Sequence, residues 1–222
     1  MIDKIESGEL ASPGSVLATL CSNLSYGFHA AAQPLAILRA GLDVELIDRL
    51  NLDELRVVAT SSAAEIERIC NIFRLLQLLV SAECVKPHLT ATALLPLLAD
   101  ASEGVSLLFE NGRVSLRTEF ARSCQPVLIN GSKILQAVSS ILLVAYGAAR
   151  PGDTVRLTSS SSLNTVRVAI TNLDYGSDTL EAEAELSMAL VKANIRSQKG
   201  NLTWSLRPFN VQFELQAVPF AH

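Results

Sequence analysis

Two successive apolar stripes with helical spacing govern what the first third of this 222-residue chain can fold into. Leu17, Leu20, Leu24, Phe28, Ala31, Leu35, Leu38 and Leu42 recur in steps of 3 and 4, which fits one face of a helix and no strand. The pattern predicts a helix from Val16 to about Ile47, and Ser12-Pro13-Gly14-Ser15 offers a hydroxyl to cap its first turn. Leu52, Leu55, Ala59, Ser62, Ile66, Ile69, Phe73, Leu76 and Val80 repeat the same alternation more strictly. Asn51 suits the cap position of this second helix, and Glu54 completes a capping-box pattern.

Only a few residues separate the two helices, so they should fold back as an antiparallel hairpin. Two helices cannot bury both stripes together with Ile37, Ile47, Leu75, Leu78 and Leu79. A second copy of the hairpin would complete a four-helix bundle, and the expected assembly is a homodimer.

With 49% hydrophobic residues the chain has ample material for a packed core, in one or two domains. The net charge of −4 and the lack of a basic stripe argue against a nucleic-acid partner. Cys21, Cys70, Cys84 and Cys124 form no CxxC pair, and His29, His88 and His222 are scattered, so no metal site is expected. Cys21 and Cys70 fall on apolar helical faces and read as buried thiols in a reducing compartment. The N-terminal residues contain no secretion-signal core, and the apolar stretch 137–149 reads as too short for a bilayer core of about 30 Å. The expectation is a soluble, cytoplasmic protein without a membrane segment.

After Lys86-Pro87 the pattern changes. Helix is predicted over 91–102, and strands over 105–110 and 113–119 around the turn signal Asn111-Gly112. Helix is predicted again over 133–148, strands over 154–159 and 165–171, helix over 181–198, and final strands over 201–206 and 210–218. Trp204 is assigned to the core. Helices on one face of a mostly antiparallel sheet make an α+β sandwich. The domains so defined are 1–88, an all-α hairpin, and 89–222, the sandwich.

His29 is followed at +5 by Pro34 and at +6 by Leu35. This spacing resembles the phospho-accepting helix of two-component histidine kinases. His29 lies about 100° around the helix from Phe28, at the edge of the stripe, where a ring nitrogen can reach solvent. Pro34 removes a backbone N–H and frees the carbonyl of Ala30, so a bend is expected one turn beyond the histidine.

The second half resembles the ATPase domain of the same family. The segment Val127-Leu-Ile-Asn-Gly-Ser-Lys-Ile-Leu-Gln-Ala-Val138 looks like the approach to the N box, and Pro151-Gly-Asp-Thr-Val155 like the turn and strand after it. The run from Val166 to Gly176 occupies the place of the G1 box, and Leu186 to Leu202 that of the G2 helix and its following strand. Five such pieces in the family's order span roughly residues 15–220.

Within that resemblance, the departures bear on function. Ser140 stands where the family carries a magnesium-binding asparagine, and Val144 stands at the next asparagine position. Valine offers a hard dication no oxygen ligand. Asn172 replaces the adenine-binding aspartate, Asp174 replaces a glycine and would put negative charge toward a polyanion, and Gly176 closes this degenerate site. Glu185, Leu186 and Ser187 replace the glycines whose backbone N–H groups meet phosphate. Phosphoryl transfer from ATP depends on metal and positioned donors, and several are missing together.

The residue after His29 is Ala30, where the family has an acid that helps deprotonate the acceptor when ATP is the donor. A receiver-domain aspartyl phosphate brings its own magnesium, and histidine is a side chain that is available as a neutral base near pH 7. The resemblance thus implies a histidine phosphotransferase that relays a phosphoryl group between response-regulator receiver domains through His29, with no cofactor. Gln33 sits where the family often orients water, and equally reads as a solvated polar residue. Ser25, Tyr26, Arg39, Arg74 and Gln77 are candidate contacts to a receiver. The competing readings are a non-catalytic regulator-binding module and a residual kinase or phosphatase.

Overall fold

The computed structural model describes residues 13–42, 51–122, 124–162, 164–172, 182–206 and 208–218. Its elements are α1 (Pro13–Gly41), α2 (Leu52–Cys84), β1 (Thr90–Thr92), α3 (Leu94–Asn111), β2 (Ser115–Glu119), β3 (Val127–Ile129), α4 (Gly131–Ala148), β4 (Thr154–Ser161), β5 (Thr165–Asn172), α5 (Ala182–Ser197), β6 (Asn201–Leu206) and β7 (Phe209–Gln216). They form two compact units. One holds α1, α2 as far as Ser81 and the first turn of α5 through Leu186; the other holds the remaining elements.

In the helical unit, both halves of the anticipated capping box are made. Asn51 Oδ1 accepts from the Glu54 backbone N–H at 3.0 Å, and Glu54 Oε2 accepts from the Asn51 N–H at 2.9 Å. Ile72, Leu76 and Leu79 of α2 are buried, as is Ala31 of α1. Several stripe positions stay open in the single chain: Leu52 is 79% exposed, Phe28 58% and Ile66 49%, as is neighbouring Val57 at 69%. Cys21 and Cys70 are exposed rather than buried. Cys70 sits about 200° around α2 from Ile72, turned away from the face that α1 covers.

The other unit is built on a five-stranded sheet in the order β2-β4-β5-β7-β6. Only the β2–β4 pairing is parallel, with Ser115 opposite Thr154; the other three are antiparallel. Period-2 alternation sends Val155 and Leu157, Val166, Val168 and Ile170, and Val211, Phe213 and Leu215 to one face. Buried faces of α3, α4 and α5 supply Leu94, Leu98, Val105, Phe109, Ile134, Ile141, Leu142, Val191 and Ile195 to the core. Each such apolar side chain contributes about 1.5–3 kcal/mol relative to exposure. A separate two-stranded sheet pairs β1 with β3, Thr90 opposite Ile129. At 18 residues α4 has the length and composition to cross a membrane, but one face of it, from Ile134 to Ala148, is buried in the core.

The expected hairpin about Asn111-Gly112 does not form. Residues 105–110 continue α3, because Leu94, Leu98, Ala101, Val105 and Phe109 share one helical face and are all buried. Asn111-Gly112 instead ends the helix. The Gly112 N–H donates to the Leu108 carbonyl and the Val114 N–H to that of Phe109, with Arg113 in the left-handed region at φ 56°. A Cβ at Gly112 would lie 2.5 Å from the Tyr146 ring, so any larger residue would have to push that ring aside. Pro96 falls in the first turn of α3, where its missing N–H has no intrahelical partner to lose. Trp204 is 44% exposed, not core. It pairs with buried Val211, but β6 is the outermost strand and the helical layer does not fully cover it.

Candidate functional site

The turn of α1 that carries His29 meets α2 at close range. Gly27 is buried, and a Cβ there would come 2.4 Å from Leu76 Cδ2. One turn on, Ala31 is 2% exposed and shares a cluster with Ile72, Leu76 and Leu186. Phe28 meets Phe73 edge-on, with ring centroids 6.5 Å apart. At 100° per residue Gly27 and Ala31 lie about 160° from His29, so burying them turns the imidazole outward. His29 is exposed accordingly.

Ser25 and Gln33, four residues before and after His29, share its open face and are exposed. Pro34 lies inside α1, which continues to Gly41. Arg74 and Gln77 are exposed on α2, next to the Phe73 and Leu76 that meet α1 at positions 27 and 28. They therefore lie level with the His29 turn. Arg39 is exposed but ten residues on, about 15 Å along the axis. The helix does not bring it to His29.

Tyr26 is in part engaged by its own chain. Burial and then a hydrogen bond to the Glu185 carboxylate push its phenol up to about 12. Glu185 lies in the first turn of α5, within the helical unit. In the same turn Glu183 faces Arg68 of α2 at 4.0 Å, and Leu186 is 2% exposed. Sequence reasoning treated Glu185 and Leu186 only as lost glycines. Their one legible signal was an apolar residue ending the acidic run Glu181-Ala-Glu-Ala-Glu-Leu186.

Of the residues that the sequence assigns to nucleotide positions, Val144 and Asn172 are buried. Val144 is 7% exposed on the buried face of α4, and Ser140 is half-buried on the same helix. Asn172 is 2% exposed, and its Nδ2 donates to Asp153 Oδ2 at 3.3 Å. That same oxygen accepts from the Arg150 N–H at 2.8 Å, so the pair fastens the end of β5 to the turn before β4. Asp174, Gly176 and His222 lie outside the described residues. Between α4 and α5, Asn194 Nδ2 donates to Gln136 Oε1 at 3.0 Å, and Gln198 Oε1 accepts from the Asn130 N–H at 2.7 Å. Asn130 also caps α4 and donates to the His88 carbonyl. Burial holds the Lys133 ammonium below the usual lysine range, against the opposing pull of Glu83.

Among the described residues, no group of three His, Cys, Asp or Glu side chains is placed to hold a metal ion. An open groove of about 760 Å³ runs along α3 and β2 past Glu103, Phe109, Arg113 and Arg117. It includes neither the His29 turn nor the residues just described.

No family model matches the sequence, and no curated protein matches it. Solved structures do. The Acinetobacter baumannii histidine kinase AdeS is 16% identical, with 87% of this chain and 98% of that one covered at a TM-score of 0.67. Full-length ShkA in complex with AMPPNP is 13% identical, with 93% of this chain and 46% of that one covered at 0.56. A histidine kinase from Burkholderia phymatum STM815 is 12% identical, with 94% of this chain and all of that one covered at 0.52. At such identities the likeness carries the fold: this chain has the histidine-kinase fold, a helical hairpin followed by the ATPase-type sheet domain.

Proposed function

We propose that this chain is a dimeric histidine phosphotransferase that passes a phosphoryl group between response-regulator receiver domains through His29, without binding ATP. The observation that carries the reading is a contrast between two sites. The imidazole of His29 is exposed on the helix that resembles the phospho-accepting one, while Val144, Asn172 and Leu186, assigned by that resemblance to nucleotide positions, are each buried, Leu186 within the helical unit. An exposed acceptor, with buried side chains where nucleotide ligands would stand, suits transfer from another protein better than transfer from bound nucleotide.

The chemistry asks little of the chain itself. A ring nitrogen of His29 uses its lone pair to form a P–N bond as the acyl P–O bond of an aspartyl phosphate breaks and its electrons return to the receiver's carboxylate. Positioning and charge neutralisation dominate phosphoryl transfer, and the receiver's own magnesium supplies the latter. The reverse step loads the next receiver. Ser25 shares the open face of His29 and Arg74 and Gln77 lie level with its turn, so these side chains would meet the docked receiver, with Gln33 one turn further along. The exposed Phe28, Leu52, Val57 and Ile66 support assembly of two hairpins into a four-helix bundle. Such a relay belongs with its receivers in the cytoplasm.

Mixing the protein with phosphorylated receiver domains and following the label tests this reading. Label appearing on the protein as acid-labile phosphohistidine supports a relay. Binding without uptake would favour a non-catalytic regulator-binding module, and labelling from ATP alone would restore the kinase reading.

A further inference from the structure

The turn that presents His29 is bounded by two residues that weaken a helix. Gly27 lacks a side chain to restrict its backbone. Pro34 has no N–H to donate to the Ala30 carbonyl, so one rung of the ladder is missing just past the histidine. A helix so interrupted needs support from outside if an imidazole on it is to hold one orientation.

That support comes from the first turn of α5. Leu186 is buried with Ala31, Ile72 and Leu76, and Leu24 and Ala30 pack against this cluster. Glu185 accepts a hydrogen bond from the Tyr26 hydroxyl. Glu183 adds an ion pair with Arg68. Along α1 these contacts fall at Leu24, Tyr26, Ala30 and Ala31, so they bracket His29 without covering it. Around the helix they lie about 60° to 220° from His29, whereas Ser25 and Gln33 stay within about 40° of it. One side of the turn is held and the other is left free.

We infer that the first turn of α5 is a clasp that positions the phospho-accepting turn, with Tyr26 and Glu185 as its polar pair and Leu186 as its apolar anchor. Tyr26 and Glu185 are then positioning residues that act on the rate of transfer through His29. The inference rests on the relay reading for its functional consequence and on the contacts alone for its structural one.

The test uses the full chain with phosphorylated receiver domain as donor, in wild type, Tyr26→Phe, Glu185→Gln and the double variant. Each single variant should lower the maximal rate of label uptake at least threefold and leave both the half-saturating receiver concentration and the dimer mass unchanged. The double variant should be no slower than the slower single, because both remove one bond. Wild-type rates in the singles would overturn the inference. So would a change confined to the half-saturating concentration, which would make Tyr26 a docking contact. If the wild type takes up no label, the relay reading fails, and hydrogen exchange decides the clasp separately. Faster exchange of amides 26–33 in Glu185→Gln supports it, and unchanged protection sinks it.

Discussion

Gly27 of α1 lies so close to Leu76 of α2 that an added Cβ would fall 2.4 Å from one Leu76 methyl carbon and 2.9 Å from the other. Alanine would favour the helix by about 1 kcal/mol, but forcing a buried leucine aside costs about 1–3 kcal/mol. Gly27→Ala should therefore destabilise the protein by about 1 kcal/mol. In a Leu76→Ala background the clash is gone, and the same change should stabilise by about 1 kcal/mol. Urea unfolding at a fixed protein concentration measures both, and equal effects in the two backgrounds would contradict the close approach.

Ile66 provides the test of assembly. It is 49% exposed in the single chain, so aspartate there would cost a monomer little. In a bundle of two hairpins the same carboxylate would be buried without a partner, at a cost of several kcal/mol. Ile66→Asp should shift the mass by light scattering from dimer to monomer at micromolar concentration. An unchanged dimer would place the interface elsewhere.

The hairpin was legible because its determinants are local. The 3, 4 alternation and the Asn51–Glu54 box act within a few residues of chain, and the structure shows both bonds of the box. The alternating strands β4, β5 and β7 were legible for the same reason. Asn111-Gly112 misled because the same dipeptide serves a hairpin turn and a helix end; what decides is the buried face from Leu94 to Phe109, a tertiary fact. The strands β1 and β3 are three residues each, too short to show a period. Trp204 was placed inward by type, whereas its exposure follows from β6 being an edge. In the candidate site, the spacing singled out His29. The contacts from Glu185 and Leu186 were invisible because they join positions some 150 residues apart.

Tyr26 gives the chain a pH signature at the alkaline end. Burial and Glu185 raise its phenol from 10.0 to about 12, favouring the protonated form in the folded state. A group raised on folding contributes stability that is complete below its unfolded value near 10 and is lost as pH climbs through about 12. Between those limits the urea midpoint of the wild type should fall more steeply than that of Tyr26→Phe, which has no phenol to ionise. Parallel slopes would mean that the hydroxyl is free.

Nucleotide should leave the protein unmoved. Val144 supplies no metal ligand, and Asn172 already holds Asp153. A ligand present at 100 times its dissociation constant stabilises the folded state by about 2.7 kcal/mol, a shift of several degrees in Tm for a protein of this size. Millimolar ATP with magnesium is expected to leave Tm unchanged. A reproducible rise would show that the sheet domain still takes nucleotide.

The last prediction concerns His29 itself. Its side chain is exposed, on the face of α1 opposite Gly27 and Ala31, so it contributes little to packing. Glutamine keeps similar bulk and polarity but has no nucleophilic ring nitrogen. His29→Gln should keep the wild-type mass and lie within about 0.5 kcal/mol of wild-type stability, as surface changes do. It should nevertheless lose phosphoryl uptake from phosphorylated receivers by at least a hundredfold while still binding them. Gln33→Ala, one turn away on the same face, should retain uptake and alter only the lifetime of the phosphohistidine. Label that persists in His29→Gln would move the acceptor to another residue, and a variant that fails to bind receivers would make His29 a contact rather than the phosphoryl carrier.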